Sequence, residues 1–216
     1  MKIHTLAKDP FNIVITGVGG QGNVMASRVL SNMLVEKGFY VTIGETFGAS
    51  QRGGSVMSHI RVSSKGAWSP QVPKGKADVV VTLEPIEAIR VLACYGNPSV
   101  QVLTNTRPIY PAGVIAGEAS YPELKEIQAT MEKLAARTWF LDATDKAVGL
   151  GNPILGNIVM IGALSALDDF PVDRDDFDRV ITRALPQGKR RDNLEAFDLG
   201  AEMMRNDLAN KGFSAQ

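Results

Sequence analysis

The segment Asn12–Gly22, NIVITGVGGQG, constrains the fold of this chain more than any other. Ile13, Val14 and Ile15 form an unbroken β-branched run, the pattern of a strand covered on both faces, and the run stops at glycines that open a helical pattern. Gly17, Gly19 and Gly22 fall on G-x-G-x-x-G spacing. On that spacing the first glycine supplies the positive φ of a tight turn. The second lets backbone N–H groups approach an anion, and the third permits close helix-to-strand packing. An anion there would meet the positive end of the following helix, whose first N–H groups lack intrahelical partners. The same order of elements also describes a tight turn that binds nothing.

From Asn23 to Glu36, Val24, Met25, Val29, Leu30, Met33 and Leu34 recur at three- and four-residue steps, one face of a helix that stops at Gly38. A second strand, Phe39 to Ile43, ends at Gly44-Glu45, which completes a βαβ unit. Thr46 to Pro73 breaks this rhythm with a glycine- and serine-rich loop. Within it Val56, Ser58, Ile60 and Val62 alternate with Met57, His59, Arg61 and Ser63, the period of a half-exposed, non-parallel strand. Ala77–Leu83 reads as another buried strand, backed by a helix from Pro85 to Tyr95. Ser99–Thr104 is a further strand leading into a loop through Arg107, Pro108 and Pro111 that excludes regular helix. Tyr121–Arg137 reads as helix and Thr138–Leu141 as a short strand. A short helix after Asp142, a buried helix over Ile154–Leu167 and amphipathic helices interrupted at Pro186–Gly188 follow. The expected architecture is α/β: one domain over residues 1–216, with a three-layer, mostly parallel Rossmann-like sheet, helices on both faces and a helical C-terminus.

Lys+Arg and Asp+Glu both number 23, so no global field draws this chain to nucleic acid or an anionic membrane surface. Cys94 is the only cysteine, which excludes an internal disulfide and a self-contained cysteine-based metal or iron–sulfur site. Its helical apolar surroundings suggest a buried small hydrophobe. MKIHTLAKDP is no secretory signal and no stretch is long enough to span a bilayer, so a cytoplasmic location is expected.

A dinucleotide fold of the usual kind needs an acid about 20 residues past the glycines to hold ribose hydroxyls, and Glu45 stands at that distance. Arg52, between Gln51 and Gly53-Gly54, offers a bidentate phosphate contact, a salt bridge to Glu45 or simply a solvated loop. Catalytic groups are scarce. His4 and His59 have no neighbouring nucleophile or ligand spacing, and His59 reads as a surface or interface residue. Asp168, Asp169, Asp173, Asp175 and Asp176 read as helix caps around Pro171 rather than as metal ligands. No catalytic or metal-binding residue is assigned.

Four blocks in order carry a resemblance: GVGGQG after the first strand, GETFGASQRGGSVMSHIR after the second, NTRPIYP after a later one, and GNPILGNIVMIGAL near residue 160. Together they resemble the gamma-type subunit of the 2-oxoacid:ferredoxin oxidoreductases, and within that family the small (beta) subunit of the indolepyruvate type. The resemblance implies a heteromeric enzyme that oxidatively decarboxylates aryl pyruvates such as indolepyruvate to the acyl-CoA, releasing carbon dioxide and reducing ferredoxin. It implies thiamine diphosphate and iron–sulfur clusters in a large alpha subunit, coenzyme A shared with this chain, and no cofactor held by this chain alone. It also implies that Gly17, Gly19, Gly20, Gln21 and Gly22 form the binding loop, with Glu45, Thr46, Arg52, Gly53, Gly54 and Ser55 lining an inter-subunit cleft. Asn105 and Asn157 would be packing or cleft-lining positions. Two other readings stay open: an autonomous NAD(P)-dependent dehydrogenase, and an assembly subunit whose glycine turn binds nothing.

Overall fold

The computed structural model describes residues 6–48, 54–168 and 170–210. Its strands are β1 (Phe11–Val18), β2 (Tyr40–Phe47), β3 (Ser55–Ser63), β4 (Val79–Thr82), β5 (Gln101–Asn105) and β6 (Arg137–Leu141). They form one sheet in the order β2-β3-β1-β4-β5-β6. The helices are α1 (Asn23–Glu36), α2 (Pro85–Tyr95), α3 (Ala112–Ile115), α4 (Leu124–Leu134), α5 (Ala143–Gly149), α6 (Gly156–Ser165), α7 (Arg174–Ala184) and α8 (Gln187–Asn210). β1, β4, β5 and β6 run parallel, whereas β3 is antiparallel to both of its neighbours. The β1–α1–β2 crossover forms as expected, yet its two strands do not touch. The chain turns back from β2 and lays β3 between them.

Alternation along β1 divides the interior into two cores. Ile13 and Ile15 face α1, α6, α7 and α8, together with Val81, Leu103 and Trp139. Val14 faces the other way, with Val80 and Val102, onto Ala88 and Val91 of α2 and Ile127 and Met131 of α4. Each large apolar side chain fully buried in these layers contributes about 1.5–3 kcal/mol. α6 is buried nearly all round, because it lies between the sheet and α8. Its contact with α8 is backbone on backbone: a Cβ on Gly162 would stand 2.0 Å from the Phe197 carbonyl oxygen, and one on Gly200 would stand 1.8 Å from that of Val159.

Asp173 caps α7 by accepting from the Asp175 and Asp176 amides at 2.9 and 3.1 Å, while Asp176 accepts from the Asp173 amide at 2.9 Å. The acidic cluster therefore does act in part as caps; Asp169 lies outside the described residues. Asp176 is fully buried and is held by Lys37 at 2.8 Å and by Arg179.

Several local expectations need correction. β2 continues through Gly44, Glu45 and Thr46 to Phe47, because its pairing with β3 carries past Ile43. β3 is mostly buried rather than half exposed. His59 is accordingly interior, packed edge-to-face on Tyr95 of α2 at 4.9 Å, and burial pushes its imidazole below the ordinary histidine range. Arg61 is buried too: it donates to Asn12 and to the Ser69 carbonyl, and its guanidinium lies over the Trp68 ring. Cys94 points outward, on the solvent side of α2. Residues 112–115 make a single helical turn in the proline loop, and the helix expected over Tyr121–Arg137 is confined to Leu124–Leu134. The buried helix opens with a 3-10 turn, Pro153–Leu155, before α6.

Candidate functional site

α1 covers one face of the sheet and α2 the opposite face, so the crossover direction reverses between β1 and β4. In an open α/β sheet a crevice forms at the carboxyl ends of the strands at such a point. Here it is a cleft of about 560 Å³, within the range of small-molecule sites. Gly19, Gly20 and Gln21 form one side, Leu83 and Asn105 the floor, Arg107–Ile109 the outer wall, and the segments around Thr144, Ile154 and Asn157 close it.

The glycine turn is built differently from the expectation. Gly17 keeps strand geometry, and the positive φ falls on Gly20 (101°) and Gly22 (81°). Gly17 is needed for space, because a Cβ there would lie 2.5 Å from Gln21 Oε1 and 2.9 Å from Asn23 Oδ1. Gln21 accepts from the Val18 amide at 2.8 Å and donates to the Leu83 carbonyl at 2.6 Å. Asn105 donates to the same carbonyl at 2.9 Å and also to Thr144 Oγ1, and it accepts from the Thr144 amide at 3.1 Å. One carbonyl oxygen thus ties the ends of β1, β4 and β5 together, and Asn105 adds the start of α5. Asn157, from α6, donates to the Gly22 carbonyl at 3.2 Å.

Five of the expected positions meet in this cleft: Gly19, Gly20, Gln21, Asn105 and Asn157. Gly17 and Gly22 frame the turn beneath it. Gly54 accepts from the Gly19 amide at 2.9 Å, which fixes the turn to the entrance of β3, and Ser55 donates to Glu87 at 2.6 Å. Glu45 and Thr46 are not brought to the cleft. They pair across β2–β3 with Ser58 and Met57, one strand removed from β1, and Glu45 faces Arg28 of α1 at 3.8 Å. Arg52 and Gly53 lie outside the described residues.

Arg107, Thr144 and Ile154 line the cleft and were not singled out from the sequence. Arg107 and Ile154 sit inside the NTRPIYP and GNPILGN blocks, which was the available signal. Arg107 pairs with Asp145 at 2.8 Å, with both side chains more than half exposed. Such a pair contributes about 0–1 kcal/mol, so a ligand anion can recruit the guanidinium at small cost. The N-terminus of α1 has no side-chain cap and no acidic residue in its first turn, which leaves its positive end available.

Behind Leu83, Glu84 is fully buried and caps α2 through the Ile86 and Glu87 amides. Its other oxygen accepts from the Ile109 amide at 3.2 Å and from the Tyr121 hydroxyl at 2.5 Å. Burial raises the Glu84 carboxyl above its ordinary value against the pull of these donors. Burial and the adjacent carboxylate push the Tyr121 phenol far upward. No group of three metal-ligating side chains occurs among the described residues. No helix among them is long and apolar enough to cross a membrane. The cleft combines apolar walls from Leu83, Pro108, Ile109, Pro153 and Ile154 with an arginine and the glycine turn that leads into α1, and its lining has no nucleophile paired with a base. That arrangement suits a ligand that is part apolar and part anionic.

The family model described as pyruvate ferredoxin/flavodoxin oxidoreductase matches residues 12–203. Indolepyruvate oxidoreductase subunit IorB of Pyrococcus horikoshii is 39% identical over 199 residues, spanning 92% of this chain and 98% of that protein. The Thermococcus kodakarensis IorB is 38% identical with the same coverage. The 2-oxoglutarate synthase subunit KorC of Methanocaldococcus jannaschii is 26% identical, over 89% of this chain and 93% of that one. Two solved structures share the fold. The gamma subunit of the keto/oxoacid ferredoxin oxidoreductase from Geobacter sulfurreducens has a TM-score of 0.66 at 19% identity, covering 91% of this chain and 99% of that one. The 2-oxoglutarate:ferredoxin oxidoreductase from Magnetococcus marinus, with 2-oxoglutarate, coenzyme A and succinyl-CoA bound, has a TM-score of 0.70 at 21% identity, and its match takes in 92% of this chain and 32% of that longer one. With the match running from the first strand into the last helix, and with subunits of this kind more than a third identical over almost their whole length, the chain belongs to the pyruvate ferredoxin/flavodoxin oxidoreductase family.

Proposed function

We propose that this chain is the small subunit of a heteromeric, cytoplasmic indolepyruvate:ferredoxin oxidoreductase, which converts aryl pyruvates to aryl-acetyl-CoA with release of carbon dioxide and reduction of ferredoxin. The observation that carries the reading is the match to IorB subunits at 34–39% identity over 87–92% of this chain. Redox and thiamine chemistry is assigned to a large partner subunit, because the donors here do not suit an iron–sulfur cluster: the single cysteine, Cys94, lies exposed on α2.

The cleft suits coenzyme A better. The glycine turn that opens α1 and Arg107 would receive its phosphates, and Leu83, Ile109, Pro153 and Ile154 would flank its less polar arm. When bound, coenzyme A supplies the thiol that carries off the acyl group; this chain's part is to hold and orient it and to exclude water. The dehydrogenase reading is disfavoured by the position of Glu45, which stands a strand away from the crevice where ribose hydroxyls would lie.

Co-expression with the large thiamine-dependent subunit, followed by an assay of indolepyruvate- and coenzyme A-dependent ferredoxin reduction, tests the proposal. Turnover is expected only in the complex, with pyruvate and 2-oxoglutarate as poorer substrates. Recovery of free monomer alone, or turnover by the isolated chain, would count against it. Substituting Gly19 by a bulky residue separates a ligand-holding turn from an assembly role, since only the former predicts impaired turnover. Tight NADH binding to the isolated chain would revive the dehydrogenase.

A further inference from the structure

The outer wall of the cleft, Arg107–Ile109, belongs to a segment with little regular structure: between β5 and α4 the chain forms only the single turn α3. Such a segment needs something to hold it. Its anchor is one fully buried carboxylate, Glu84, at the junction of β4 and α2. All four of its recorded contacts come from donors. The Ile86 and Glu87 amides reach one oxygen at 2.8 and 3.2 Å, and the Ile109 amide and the Tyr121 hydroxyl reach the other at 3.2 and 2.5 Å. Tyr121 closes the far end of the segment and packs edge-to-face on Tyr110 at 5.2 Å, so both ends of the stretch from 109 to 121 converge on the same oxygen.

We infer that Glu84 and Tyr121 form a latch that fixes the Arg107–Ile109 wall and thereby sets the affinity of the cleft for its anionic ligand, making both of them positioning residues. This rests on the reading of the cleft as a coenzyme A site. The latch is built for a carboxylate. E84Q leaves one acceptor oxygen: its NH₂ would oppose either the two α2 amides or the Ile109 amide, and in the second case the Tyr121 hydroxyl would have to turn from donor to acceptor. A phenylalanine at 121 removes one donor and leaves the ring contact with Tyr110 in place.

The test uses the complex with its large subunit. Y121F and E84Q are compared with wild type by deuterium uptake in peptides covering 105–111 and by kcat and KM for coenzyme A. V180A, in α7 against the opposite face of the sheet, serves as a control that loses core packing without touching the latch. Expected are faster exchange over 105–111, a roughly tenfold rise in the KM for coenzyme A and a kcat within about twofold in both latch variants, with V180A lowering Tm but leaving KM alone. Unchanged exchange, faster exchange with unchanged KM, or an equal KM shift in V180A would overturn the latch. If the wild-type complex shows no coenzyme A-dependent turnover, the functional reading fails, and the latch then stands or falls on the exchange alone.

Discussion

Gly22→Ala probes the junction on which the cleft is assembled. Gly22 has φ 81°, where an L side chain costs about 1–2 kcal/mol. A Cβ there would also lie 2.1 Å from Asn157 Nδ2 and 3.3 Å from its Cγ. Asn157 is only 3% exposed, so its amide cannot move into solvent. It would have to rotate out of its 3.2 Å bond to the Gly22 carbonyl, leaving polar groups unpaired at a further cost of about 1–3 kcal/mol. The total is about 2–5 kcal/mol, which for a chain of this size lowers Tm by roughly 4–20 °C. A double-mutant cycle separates the two contributions. In an Asn157→Ala background the steric part disappears, and Gly22→Ala should cost only its backbone share, giving a coupling of about 1–3 kcal/mol. Denaturation of the four proteins in urea measures it. Additivity within about 0.5 kcal/mol would refute the reasoning, since the two residues would then not be in contact in the folded state.

Gly200→Ala should lose about 3 kcal/mol, because its Cβ meets backbone of α6 that cannot give way, whereas Gly188→Ala, with open space around it in the first turn of α8, should lose nothing and gain at most about 0.5 kcal/mol; paired thermal melts test both. Lys37 is pulled down by burial, but hydrogen bonds and charges from Asp176 and Asp173 outweigh this and hold its ammonium above the ordinary 10.5. Its contribution to stability is therefore complete below pH 10.5 and is lost as pH rises through the raised value, so denaturation curves at increasing alkalinity should show a decline that Lys37→Met lacks. At neutral pH that variant should cost about 1–3 kcal/mol, since Asp176 keeps Arg179 but loses its other cation. Arg107→Ala should change stability by under about 1 kcal/mol, because it breaks only an exposed pair, while weakening binding of coenzyme A in the complex; an unchanged KM would remove Arg107 from the site.

The apolar pattern along the chain is enough to read β1, α1, α2 and α6: a single apolar face marks α1 and α2, and an unbroken apolar run marks β1 and α6, which are covered on both sides. It misread the outer surface of β3. Met57, His59, Arg61 and Ser63 read as the exposed face, but Tyr95 covers His59, Trp68 covers Arg61, and β3 has strands on both sides, so polarity along the chain does not report exposure. Cys94 fails in the opposite sense: its neighbours are apolar, but its own direction on α2 is outward. Within the cleft, the glycine turn is legible from its spacing after β1, and Asn105 and Asn157 only through the resemblance. The partnership of Gly22 with Asn157 across 135 positions, and of Gln21 and Asn105 at one carbonyl, has no periodic signature. Arg107 and Thr144 escaped because a crevice made from the ends of parallel strands gathers residues that are far apart in the chain.

The strand laid between β1 and β2 has an effect on what this scaffold can become. It sets the end of β2, with Glu45, one strand away from the glycine turn, so the acid that would hold ribose hydroxyls does not border the crevice. Point substitutions cannot undo that; only rewiring the order of strands would. Changes within the cleft can alter what it grips, but none of them returns the end of β2 to the side of β1.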